Sequence, residues 1–303
     1  MDTIYQTNAV ASLPLNLNVN HLRILMAIVL HLQDTIKAGL QRPASNGNTR
    51  EPCILTIPVS DFHLGKCTGT RLRSCLDDLC LKNGLIDDYI FPLYSHDVII
   101  YLTPKVTRLL TNTQSGYFSY SRTLALSTTS KYTLRLYWLI SSWRNRGGFV
   151  IRMDEFRKIL CLGQAYHRFD NIAARILQPS QQELQDRFPI CFQYKYYPGT
   201  PGTGARLAFK IRLQLAPADE KRLRADTYDT CFHLLSSTGL SSALPVVDPI
   251  FNSLDAGDLR PFLHHLTKVL AHIRTHTISS PAAYLKTALT TWLTDWTLRY
   301  GDD

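Results

Sequence analysis

The sequence predicts an α+β chain, mostly helical, made of two tandem units of one plan and a helical C-terminal extension. Three observations carry this. The order helix, strand, helix, helix, hairpin occurs over residues 20–115 and again over 130–216. Residues 217–303 show helical periodicity and little else. Finally, the excess positive charge is confined to the second unit: residues 131–212 hold 14 Lys and Arg against 5 Asp and Glu, a net of +9 that equals the net of all 303 residues. Cations gathered in one compact segment are the electrostatic footprint of nucleic-acid binding. A generally basic protein with solvated charge is the plainer alternative.

Bulk properties narrow the class further. A length of 303 residues predicts two or three domains, each with its own core. The longest apolar stretch, Ile24 to Leu32, is too short for a membrane span and contains His31. The first twenty residues lack a charged start followed by an apolar block, so no secretory signal is visible and a cytoplasmic protein is expected. Seven cysteines without a C-x-x-C pair read as reduced, buried thiols.

Taken in order, residues 1–19 are polar and irregular, the pattern of a flexible arm. Leu22, Leu25, Ile28, Val29 and Leu32 repeat at helical spacing and predict a helix from Asn20 to about Gln41, followed by the polar loop QRPASNGNTREP. A strand over Ile54 to Ile57 leads to SDFHLGK, where Ser60 or Asp61 is placed to cap a short helix. A longer helix from Gly69 to Lys82 points Leu72, Leu76 and Leu79 inward and carries Arg71 and Arg73 near its start. Two β-rich runs, LIDDYIF and VIIYL, complete a winged helix, that is, a helix-turn-helix with an appended β-hairpin. Residues 104–111 predict a short helix, and 116–129 a linker with some strand character.

The second winged helix is clearer. SKYTLRLYWLISSWRNRGG is an amphipathic helix stopped by Gly147-Gly148, and FVIRM is a strand. Asp154 is placed to cap DEFRKILCL, and Gly163 makes a turn. The helical region from Tyr166 contains Pro179, which predicts a kink or break because proline removes a hydrogen bond and crowds the preceding turn. In the closing hairpin, alternation sends Leu207, Phe209, Ile211 and Leu213 to the core and Lys195, Arg206, Lys210 and Arg212 to solvent, within reach of phosphates.

A recognition helix presents base-reading side chains near its N-terminal half. Here those are Arg168, Asn171 and Arg175, with Asn171 and Arg175 four residues apart on one face. Lys131 and Arg135 on the preceding helix are candidate phosphate contacts, as are Arg71 and Arg73 in the first unit.

The run SKYTLRLYWLISSWRNRGG, then a strand, DEFRKILCLG, the segment Tyr166 to Leu184 with its ILQPSQQEL core, and a hairpin resembles the second winged helix of the iteron-binding replication initiators of theta-replicating plasmids. The resemblance covers residues 130–215 and, more loosely, 20–111. It implies tandem winged helices, binding to repeated origin DNA, local origin opening and recruitment of a host helicase or host initiator proteins. It also implies a monomer–dimer equilibrium in which the dimer represses its own promoter and the first domain supplies the dimer contact. Ala173 and Ala174 depart from the family, where basic residues are common.

Enzymatic alternatives lack their residues. There is no His-hydrophobic-His triplet for a rolling-circle initiator and no G-x-x-x-x-G-K-S/T phosphate loop, so neither catalytic residues nor a cofactor are expected. His265, His272 and His276 are spaced i, i+7, i+11 to share a helical face, with His272 and His276 one turn apart as metal ligands would be, but that pair shows no third ligand and no metal is expected. A winged-helix transcriptional regulator without initiator activity requires the same reading helix and wing.

Overall fold

The structure is a computed structural model that describes residues 2–38, 53–65, 68–112, 114, 116–164, 166–200 and 204–300. The chain forms two compact bodies. One comprises Met1–Ser142 with Glu155–Ser180, the other Trp143–Asp154 with Gln181–Asp303. Among the described residues, no helix is long and apolar enough to cross a membrane.

In the first body, residues 3–12 do not form a loose arm. Strand β1 (Thr3–Thr7) pairs antiparallel with β5 (Tyr117–Ser121), and the short helix α1 (Asn8–Ser12) follows. Ile4 and Val10 are buried, and the Asp2 carboxylate accepts hydrogen bonds from Ser121 and Thr123. The stretch 116–129 is likewise structured rather than a linker: β5 runs into α5 (Arg122–Ser127), with Phe118, Tyr120 and Ala125 in the core. The missed signal is β-pairing between segments far apart in sequence, which no local pattern reveals.

The helix expected from Asn20 to about Gln41 is α2 (Val19–Lys37), which ends at its C-cap Ala38, and the expected polar loop through Pro52 falls outside the described residues. Its start is locked reciprocally: Asn18 Oδ1 accepts the His21 N–H at 3.0 Å, and His21 Nδ1 accepts the Asn18 N–H at 3.1 Å. Strand β2 (Cys53–Pro58) pairs with β4 (Asp97–Leu102), which pairs with β3 (Asp88–Ile90), giving the sheet order β2-β4-β3. Neither Ser60 nor Asp61 caps the 3₁₀ turn at Val59–Phe62; Asp61 bonds His31 at 2.9 Å instead. Helix α3 (Thr68–Asp77) continues into a π turn at Asp78–Lys82 with Leu72, Leu76 and Leu79 buried, and α4 spans Pro104–Thr111.

The second winged helix contributes α6 (Lys131–Trp143), α7 (Met153–Ile159), α8 (Phe169–Ile172), a π turn at Ala173–Leu177 and α9 (Gln178–Arg187). Asp154 sits inside the first turn of α7 rather than capping it, and pairs with Arg152. The disturbance expected at Pro179 takes the form of the π turn. Its wider i→i+5 pattern lies where the proline ring would crowd the carbonyl of residue 175, and α9 then continues.

The second body carries the sheet of that winged helix, β6 (Gly148–Arg152), β7 (Ile190–Tyr197) and β8 (Arg206–Leu213), in the order β6-β8-β7. This repeats the topology of the first sheet. Its inner face is aromatic, with Phe149 stacked on Phe209 at 4.8 Å and Phe192 edge-on to Phe209 at 5.3 Å. Helices α10 (Pro217–Ser237), α11 (Leu244–Asn252), α12 (Leu259–Thr275) and α13 (Pro281–Tyr300) build a core around Leu235, Val247, Phe262, Leu266 and Leu289. They also pack on the sheet. A Cβ at Gly257 would stand 2.6 Å from the Ile211 carbonyl oxygen, and one at Gly148 would stand 3.0 Å from the Tyr300 ring.

His21 makes stability pH-dependent. Burial lowers its pKa, opposed by Asp78, whose carboxylate lies 3.4 Å from Nε2. The unfolded chain therefore binds a proton near the ordinary value of about 6.5, where the folded chain resists it. The neutral-state contribution is complete above that value and is lost as pH falls through the window below it. Urea midpoints of the wild type should drop below about pH 6.5, and His21→Gln should shed part of that slope.

Candidate nucleic-acid interface

The reading helix lies in the first body. Arg168 occupies the N-cap position of α8 in extended conformation, is exposed, and pairs with Asp170 at 2.9 Å. Such an exposed pair is worth little, so it yields readily to a phosphate. Ile172, Ala173, Ile176 and Leu177 are buried, while Asn171, Ala174, Arg175 and Gln178 are exposed. The expected Asn171 and Arg175 therefore stand on one solvent face. Arg157 braces the approach to this helix by donating to the carbonyls of Tyr166 and Gly163, the latter at 2.9 Å. The two alanines differ in kind: Ala173 is buried and has no room for a basic chain, whereas Ala174 leaves an exposed position uncharged.

Arg135 requires a correction. It is 4% exposed, and its guanidinium donates to the backbone carbonyls of Val10, Leu13 and Ile159. Burial brings its pKa down to about 10, so it remains charged at neutral pH, but as a clamp on α1 rather than a phosphate contact. Helical spacing alone placed it on a polar face. The covering chain is the supposed N-terminal arm. Lys131 is half-buried over the Tyr132 ring, 5.0 Å from its centroid. In the first winged helix, Arg71 and Arg73 are both exposed; Arg71 donates to the Leu64 carbonyl, and Arg73 lies 4.2 Å over Phe91 at the wing base.

In the second body, strand register arranges the outer face of the sheet in rows: Arg152, Arg206 and Tyr197; then Val150, Ala208 and Lys195; then Gly148, Lys210 and Gln193. Arg206 is exposed and Lys195 is half-buried. Lys210 and Arg212 do not face open solvent as expected. The Lys210 side chain is 11% exposed and lies 3.4 Å from Asp255 and 3.3 Å from Asp258. Arg212 donates to Asp255 at 2.8 Å and to Gln193 at 2.7 Å. Burial pushes the Asp258 carboxyl up, and Lys210 pulls it back down. Period-two alternation identified the face correctly but could not show that residues 255–258 cover it.

Sequence reasoning also missed Arg152 and Arg299, which this sheet face brings into view. Of the three histidines, His265 stacks on Trp292, and His272 stacks on His276 at 4.0 Å. Among the described residues, no group of three His, Cys, Asp or Glu is placed to hold a metal ion.

Two helix–strand–helix–helix–hairpin units, one carrying an exposed Asn/Arg face on its third helix, define a tandem winged-helix protein. Residues 152–204 match the Rep3_C family, described as initiator Rep protein, WH2. The structure is also similar to that of the Pi initiator protein in complex with iteron DNA, with 13% identity, a TM-score of 0.45, and coverage of 69% of this chain and 96% of that one. No curated protein matches the sequence.

Arg175 and Arg135 should behave oppositely. Arg175→Ala should weaken binding to a cognate duplex by about 1–3 kcal/mol and leave the urea midpoint unchanged. Arg135→Ala should lower stability by about 3 kcal/mol, because it strands buried carbonyls. Binding titrations beside urea denaturation measure both.

Proposed function

We propose that this chain is a plasmid replication initiator that binds repeated origin DNA sequence-specifically. The observation that carries the reading is the exposed Asn171 and Arg175 pair, on a helix inside the segment that matches an initiator Rep winged-helix domain. Arginine grips guanine and asparagine grips adenine through paired hydrogen bonds in the major groove. Arg168 would fix the helix on the backbone, and Lys195 and Arg206 would supply wing contacts.

On this reading the protein is non-catalytic and works in the cytoplasm. It would open the origin and recruit host helicase or initiator proteins, with the first winged helix (20–115) supplying the dimer contact that represses its own gene. Residues 130–216 are the main DNA-binding element, with Arg71 and Arg73 giving the first winged helix auxiliary contact. Lys131 adds a further cation next to the reading helix.

The test is a gel-shift titration of the full chain on tandem direct repeats of about one to two helical turns, taken from beside its gene, against an inverted promoter site and random duplex. Stepwise occupancy of the direct repeats, with affinity falling steeply as salt rises, is the expected result. Binding confined to the inverted site would make the protein a transcriptional regulator. Affinity that ignores salt would remove the electrostatic basis of the reading.

A further inference from the structure

The outer face of the β6-β8-β7 sheet is divided. Its Lys210 and Arg212 end is neutralised by Asp255 and Asp258. Its other end, towards the wing tip, borders an open cleft of about 570 Å³ lined by Val150, Tyr197, Arg206, Asp295, Leu298 and Arg299 among others. The cations there are placed at a cost. Arg152 and Arg206 stand directly opposite each other in the antiparallel pair, and like charges at such positions repel. Asp154 answers Arg152 with two hydrogen bonds of 3.1 Å each. Arg206 and Arg299, both exposed, converge on the cleft from β8 and the last turn of α13, with Asp295 the acidic residue on its rim.

The apolar lining is equally unusual. Val150 is 42% exposed and Leu298 is 70% exposed, so two aliphatic side chains border the arginines without being covered. Tyr197 ties the end of α13 to β7 by directing its hydroxyl at the carbonyls of Leu298 at 3.4 Å and Arg299 at 3.1 Å. That bond fixes the position from which Arg299 projects. It also blunts the negative end of the helix dipole, which would otherwise repel an anion.

We propose that this cleft binds a phosphodiester of the DNA backbone, with Arg206 and Arg299 on the phosphate oxygens and Val150 and Leu298 against the sugar. This rests on the DNA-binding reading above and extends it: the C-terminal helical region also contacts DNA, through Arg299. A bound phosphate would also offset the like charges of Arg152 and Arg206.

The experiment uses the full-length chain, the direct-repeat duplex and a random duplex of equal length, titrated across a salt series. Arg299→Ala and Arg206→Gln should each lose roughly fivefold in affinity on both duplexes and reduce the salt slope by about one. Arg206→Gln should also leave the melting temperature of the free protein unchanged or raise it, since it removes a like-charge contact; a purely structural arginine would lower it. Wild-type affinity and slope in both variants would overturn the site. A loss confined to the direct repeats would overturn its assignment as a backbone contact. A wild-type chain that binds neither duplex would overturn the DNA-binding reading itself, and this inference with it.

Discussion

Lys210 sets the terms for one half of the molecule. An ammonium group removed this far from water costs several kcal/mol unless carboxylates meet it, and removing one partner of such a pair is severely destabilising. Asp258, itself buried, and Asp255 meet it. Bringing them there requires the chain after α11 to lie on β8, which only a glycine at 257 permits, given the approach to the Ile211 carbonyl. The same packing buries Gly148 under Tyr300. The hairpin is thus half wing and half floor for the C-terminal helices, and its formal charge overstates the cations it offers to a partner.

Much of the architecture was legible because it is periodic. The Leu22 to Leu32 stripe, the Leu207, Phe209 and Ile211 alternation and the repeated element order each report a local constraint, one face towards a core, and each matches an observed element. Asn171 and Arg175 were legible for the same reason, since helical spacing places residues four apart together.

What was not legible depended on coverage by distant chain. Arg135 and Lys210 occupy positions that alternation and helical phase mark as outward. Both are buried by segments that carry no sequence signal of where they dock: α1 over the first, residues 255–258 over the second. The pairing of β1 with β5 has the same origin, because TIYQT and YFSYS are too short to declare a strand until they find each other. A basic residue on a polar face is a phosphate contact only while nothing else in the fold claims that face.

The π turn at Ala173–Leu177 bears on how the reading helix aims. Ile172, Ile176, Ser180 and Leu184 are all buried, a strict four-residue repeat. In an unbroken α-helix each such step would rotate the buried stripe by about 40°, or about 120° from first to last. One turn that accommodates an extra residue takes up much of this rotation and keeps the stripe on a single side. Asn171 and Arg175 lie exposed beside that stripe, so the turn that holds the buried face on one side also sets the direction in which they point. A substitution that restored regular winding would swing the exposed face against its buried backing without touching a single exposed side chain.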